Sequence, residues 1–190
     1  GDQIEQTKVA MEELQIDQKQ FPPRSILSSI SNAKSQLIPS SEYKSNANDY
    51  FQEVVGRVYE QYERFMSLNS ALDFDDLLIK THFILSEDQE ISEKYSERFL
   101  HVMVDEFQDT NVAQYEIAKL LVAKHRNFCA VGDPDQSIYS WRNADIRNIL
   151  SFQTDFPDAK VIPLVQNYRS SSTILEAAQH LISANDQRVE

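Results

Sequence analysis

Two adjacent carboxylates, Asp105 and Glu106, end the mostly apolar run LHVMV (100–104), with Gln108 and Asp109 just behind them. An Asp fixed at the end of a strand can support Mg²⁺, often through a water, beside a phosphate chain. A neighbouring Glu can orient or deprotonate a water that attacks a terminal phosphate. The plain alternative is that both acids open a solvated turn. A second polar cluster follows FCAVGD (128–133). There Gln136 can hydrogen-bond a terminal phosphate or the attacking water. Tyr139, Trp141 and Arg142 lie just beyond it. Exposed aromatics with a guanidinium form a stacking platform for unpaired bases, worth roughly 1–3 kcal/mol per base. The single Trp would otherwise be a core anchor, but Ser140, Arg142 and Asn143 around it argue against full burial. A third cluster, QNYRSS (166–171), follows KVIPLV (160–165). Arg169 can clamp a phosphoryl group with two N–H donors and stays charged at any working pH. Tyr168 offers a flat face to a base. The alternative for Arg169 is an ion pair with a nearby carboxylate in a turn leading into a helix.

These clusters need elements to position them. FLHVMVDEF (99–107) reads as a short β-rich run, and FCAVGD (128–133) and KVIPLV (160–165) read as apolar strands. Between them, 111–123 is helical, with Asn111 and Gln114 spaced as a capping pair, and a short helix is expected near 145–152. A last helix is expected over 171–184. Strand–helix–strand–helix–strand implies a parallel sheet with right-handed crossovers. Ligands bind beyond the carboxyl ends of such strands, so the three clusters are expected to face one crevice. The first half is helical instead. Segments 4–16 and 23–38 and the stripe Phe51, Val54, Val55, Val58, Tyr62, Phe65, Met66 carry apolar residues at three- and four-residue steps. SSEYKSNAND (40–49) reads as a polar loop, and another helix is expected after Asp73.

Composition bounds the chemistry. With 190 residues and 41% apolar content, the chain suits one medium domain or two small ones. Its one cysteine, Cys129, excludes a disulfide framework and fits a reducing compartment. A net charge of −12 argues against a bulk electrostatic grip on nucleic acid but leaves a local groove open. The three glycines, Gly1, Gly56 and Gly132, cannot build a G-x-x-x-x-G-K-[ST] phosphate loop. No membrane-length apolar run and no leader pattern are visible, so a soluble, cytoplasmic protein is expected. Asp73, Asp75 and Asp76 in LDFDDLL suit a helix N-terminus more than a site. The four histidines have no partners at metal-ligand spacing.

VDEFQDTN has the layout of a Walker B element. Together with VGDPDQSIYSWRNAD and QNYRS it resembles motifs II, III and IV of the UvrD/Rep/PcrA-like superfamily 1 DNA helicases, in order and spacing. FPPRSILSSISNAKSQLI, the YF…VY…Y helix and LDFDDLL resemble that family's helical 1B subdomain. The resemblance implies an α/β fold: a partial RecA-like parallel sheet behind an all-helical N-terminal subdomain. It divides the chain into a 1B-like part (1–98), the C-terminal part of the 1A ATPase core (99–165), and motif IV with the helix leading into 2A (166–190).

The same resemblance implies roles. Asp105, with Glu106, would hold Mg²⁺, and Glu106 would be the catalytic base of ATP hydrolysis. Gln136 would sense the γ-phosphate, Arg169 would stabilise the transferring phosphoryl group, and Tyr168 would stack on adenine. Trp141, with Tyr139 and Arg142, would contact the tracking strand of single-stranded DNA or a single-strand/duplex junction during 3′→5′ movement. Repair or replication proteins are the implied partners. Two positions depart from the family pattern: Asn143 replaces a usual Gly, and Val165 replaces a frequent Glu. Asn suits a positive-φ position better than other non-glycine residues. The family's phosphate loop and second motor domain have no counterpart in these 190 residues, so the chain reads as a piece of a longer helicase, inactive alone. The rival expectation is a non-enzymatic protein-interaction module derived from a degenerate motor core. A nuclease partner domain elsewhere is a third possibility.

Overall fold

Caps and prolines set the helix starts of the N-terminal half. The computed structural model describes residues 2–184. After α1 (Asp2–Glu13), α2 (Pro23–Ser35) starts on a proline, whose missing N–H would have no intrahelical partner anyway. α3 (Ser40–Ser45) occupies part of the expected polar loop. It forms because extended Pro39 turns the chain into a helical start, its carbonyl accepting the Tyr43 N–H at 2.9 Å. α4 (Tyr50–Leu68) is capped by Asp49, which accepts the Gln52 N–H at 2.8 Å. α5 (Phe74–Glu87) starts at the expected Asp73, which forms a reciprocal capping box with Asp76. α6 (Gln89–Arg98) follows directly.

The chain divides into two units: Gly1–Val102 with Asn111–Asn127, and Met103–Thr110 with Phe128–Glu190. In the first unit, Ala10 and Met11 of α1, Ile26 and Ile30 of α2, and Val54, Val55, Val58 and Tyr59 of α4 form one buried cluster. Each large side chain buried there contributes about 1.5–3 kcal/mol. Gly56 lets α3 lie close to α4, because a Cβ there would sit 3.1 Å from Lys44 Cα and Cβ. α7 (Val112–Val122) packs on α5 and α6 and carries the expected Asn111–Gln114 capping box, both hydrogen bonds being 2.9 Å.

The sheet that carries the acid pair has two strands among the described residues, β1 (Val102–Val104) and β2 (Phe128–Ala130). They run parallel, and the ladder continues past their ends: Val131 N–H donates to Val104 and Phe107 N–H to Val131, each at 2.8 Å. The core of the second unit is aromatic. Phe107, Phe128, Phe152 and Phe156 interlock with ring centroids 4.9 to 5.9 Å apart. Phe152 belongs to α9 (Phe152–Asp155), which follows α8 (Arg147–Leu150), where the short helix was expected. α10 (Ser172–Ile182) is the last element.

The third expected strand does not form. Residues 160–165 are exposed and make no ladder hydrogen bond among the described residues. An apolar run becomes a strand only when a neighbour takes its N–H and C=O groups, and Pro163 removes one donor from the middle. The fold is thus an α/β arrangement, mostly helical, with a small parallel sheet. No helix among the described residues is long and apolar enough to cross a membrane.

Candidate functional site

The chain turns sharply after β1. Glu106 adopts a left-handed backbone (φ 50°), unusual for a residue with a Cβ and costing roughly 1–2 kcal/mol. Asp105 steadies the turn by accepting the Glu106 N–H at 2.9 Å. A short 3₁₀ turn over Phe107–Asp109 then tucks Phe107 into the aromatic core. Asp105 and Glu106 stay exposed at the strand end, where the sequence put them. Backbone strain held at such a place is the kind found at functional sites.

The second cluster meets the first. Gly132 follows β2 and runs so close to Gln108 that a Cβ would lie 2.6 Å from Gln108 Oε1. Asp133 then opens a 3₁₀ turn (Pro134–Gln136), its carboxylate accepting the Asp135 N–H at 3.0 Å and Gln136 Nε2 at 2.7 Å. Gln108, fully buried, joins the two clusters: its Nε2 donates to Glu106 Oε2 at 2.8 Å and its Oε1 accepts the Asp133 N–H at 3.0 Å. Its Nε2 also lies 3.4 Å from Asp109 Oδ2. Burial, and then the nearby Glu106 charge, push the Asp109 carboxyl above its ordinary pKa. The sequence reading gave Gln108 no role, although a Gln between two acids is a visible signal.

The aromatic cluster is exposed rather than packed inside. Trp141 is 70% exposed, its ring 6.0 Å from that of Tyr139. The Arg142 guanidinium lies 4.6 Å from the Trp141 ring centroid and 5.5 Å from that of Tyr139. Asn143 closes this turn at φ 63°, the left-handed conformation for which Asn suits better than other side chains. Asp145 N–H and Asn148 Nδ2 donate to the Thr110 carbonyl at 2.9 and 3.0 Å, tying the segment back to the acid-pair turn.

The third cluster does not join the other two. Asn167 Oδ1 accepts the Arg169 and Ser170 N–H groups at 2.9 and 2.8 Å, a turn closed on itself. Tyr168 is 92% exposed, and the Arg169 guanidinium has no ion pair among the described residues, so the expected alternative of a carboxylate partner is absent there. The single crevice predicted from three strand ends is therefore built from two. The third fails for the reason its strand fails: residues 160–165 have no neighbour to fix where they end.

Mg²⁺ is ordinarily held by one or two carboxylates, with waters and substrate phosphates completing its shell. Asp105 and Glu106 fit that donor set: adjacent, exposed and at a strand's carboxyl end. No cluster of three or more His, Cys, Asp or Glu disposed around a metal occurs among the described residues.

The stretch that carries the acid pair, the Gly-Asp loop and the aromatic cluster lies within the span of a family match. The model of the UvrD/REP helicase N-terminal domain matches residues 1–157, and the chain belongs to that family. The matched span holds both joined clusters and stops before QNYRSS (166–171). The chain is 47% identical over 187 residues to the ATP-dependent DNA helicase PcrA of Staphylococcus aureus strain Mu50, covering 98% of this chain and 26% of that protein. The PcrA of Staphylococcus epidermidis is similar to the same extent. The chain thus spans about a quarter of the length of these relatives.

Proposed function

We propose that the chain is part of an ATP-dependent DNA helicase or translocase that moves 3′→5′ on single-stranded DNA and opens duplexes at junctions in repair or replication. The observation that carries this reading is the joining of Asp105–Glu106 to the Gly132–Gln136 loop, with the Tyr139–Trp141–Arg142 platform a few residues on. Asp105, with Glu106, would hold Mg²⁺, which would supply charge neutralisation for phosphoryl transfer. Glu106 accepts the proton of the attacking water. Gln136 touches the γ-phosphate, and its bond to Asp133 sets where its amide points. Arg169 neutralises charge on the transferring group and Tyr168 stacks on the adenine. Both need the QNYR turn to be brought up to the other two clusters.

Trp141 and Tyr139 receive bases, with Arg142 adding a cationic edge. Residues 1–98 serve as a 1B-like helical subdomain, 99–165 as the later part of 1A, and 166–190 as the lead into 2A; 185–190 lie outside the described residues. The working compartment is the cytoplasm. These 190 residues contain no phosphate-cradling loop, so they do not turn over ATP by themselves.

The test is Glu106→Gln in the full-length protein. ATP binding is expected to persist while DNA-stimulated turnover falls by about 10²–10⁴-fold, the usual contribution of a general base. Unchanged turnover would remove Glu106 from the catalytic role.

A further inference from the structure

Gln108 has no exposed surface, yet it is polar and lies between two clusters of carboxylates. A buried amide has to use its donors and acceptor, and this one does. Nε2 donates to Glu106 Oε2 at 2.8 Å and approaches Asp109 Oδ2 at 3.4 Å. Oε1 accepts the Asp133 N–H at 3.0 Å. These partners also fix which end is oxygen. A flipped amide would set its oxygen against two carboxylates and its NH₂ against an N–H. The Gln108 carbonyl is used as well, accepting Ser137 Oγ at 3.4 Å.

The bonds form a continuous line. Gln136 Nε2 holds Asp133 Oδ2, the Asp133 N–H holds Gln108 Oε1, and Gln108 Nε2 holds Glu106 Oε2. At the far end the Glu106 backbone is already fixed in its left-handed turn, leaving side-chain rotation as its main freedom. The Gln108 amide removes that freedom. Gly132 makes the close approach possible, since any side chain there would displace Oε1.

We infer that Gln108 is a positioning residue, whose amide sets the Glu106 carboxylate relative to the Gly132–Gln136 loop and so couples water activation to the state of that loop. This rests on the reading of Glu106 as the general base. A loop that shifts when Gln136 meets a γ-phosphate pulls on Asp133, and Asp133 pulls on the amide that aims Glu106. Packing alone does not explain the residue, because a methionine would fill the same space without needing partners.

The test uses the full-length protein and measures kcat and KM for ATP with saturating single-stranded DNA. Gln108→Met should lower kcat roughly 10- to 100-fold, the usual scale for removing an outer partner of a catalytic group. KM for ATP and single-stranded DNA affinity should not change. In a Glu106→Gln background, Gln108→Met should cause no further loss, because its effect passes through Glu106. Wild-type kcat in a folded Gln108→Met protein overturns the inference. So does an equal fold-loss in both backgrounds, which marks a general structural role. If Gln108→Met does not fold, Gly132→Ala, which displaces Oε1 from the other side, should show the same kcat loss and the same non-additivity. Normal kinetics there overturn the inference. Full turnover in Glu106→Gln alone would instead overturn the base assignment, so the two failures are distinguishable.

Discussion

Lys34 has no exposed surface, and a lysine is rarely buried unless paired. Its Nζ lies 2.8 Å from Asp73 Oδ2 and 2.8 Å from Asp76 Oδ1, and Tyr62 Oη donates to Asp73 at 2.9 Å. The rings of Tyr59 and Tyr62 are close by, with Nζ 5.9 and 5.2 Å from their centroids. Burial pushes the Asp73 carboxyl up, but the Lys34 hydrogen bond and charge, with the Asp76 N–H and the Tyr62 hydroxyl, together hold it below its ordinary pKa. A carboxylate whose folded pKa lies below its unfolded value adds stability that is fully present above the unfolded pKa, about 3.9. That stability is lost as pH falls through the folded value. Lys34→Met would leave two carboxylates buried without their cation, at a cost of about 3–5 kcal/mol. Urea midpoints should therefore fall sharply at pH 7 in Lys34→Met and should decline less than in the wild type on acidification through the carboxylate range. Wild-type midpoints in that variant would show that the pair contributes nothing. The acids of LDFDDLL were legible as a helix start. Their cation was not, because it lies 39 residues from Asp73 and local patterning says nothing about it. Exposure of Trp141 was legible from its polar neighbours, whereas the bond from Asp133 to Gln108 spans 25 residues of sequence.

Local chemistry set helix boundaries well because a cap is a contact between residues three apart. The Asn111–Gln114 box at the start of α7 was visible as spacing alone, and both of its bonds form. Asn111→Ala should cost about 1 kcal/mol, the usual value for losing a polar cap, measured as a shift in the urea midpoint. No shift would mean that packing of α7 on α5 and α6 alone fixes its start. Strands are different. Residues 128–130 and 160–165 both read as strands, yet only the first pairs, because Val104 and the residues beyond it lie alongside. Strand formation is decided by neighbours, and these are not written in a six-residue window. α3 shows the reverse error: Ser and Asn around it suggested a loop, and a single proline start was enough to make a short helix.

At the scale of the chain, family membership was legible because its motifs are contiguous, while the wiring between motifs was not. The unpaired run has a consequence for this 190-residue chain in concentrated solution. Val161, Ile162, Leu164 and Val165 are all exposed, the combination of high β-propensity and absent charge that seeds stacked fibrils. Pro163 interrupts them, and a proline within such a segment acts as a gatekeeper against intermolecular ladders. Pro163→Val should shorten the lag of thioflavin-positive aggregation of the 190-residue chain and leave the helical content of fresh samples unchanged. An unchanged lag would show that something other than the proline protects the run. On that expectation, the residue that removes a ladder donor within the chain would also limit pairing between its copies.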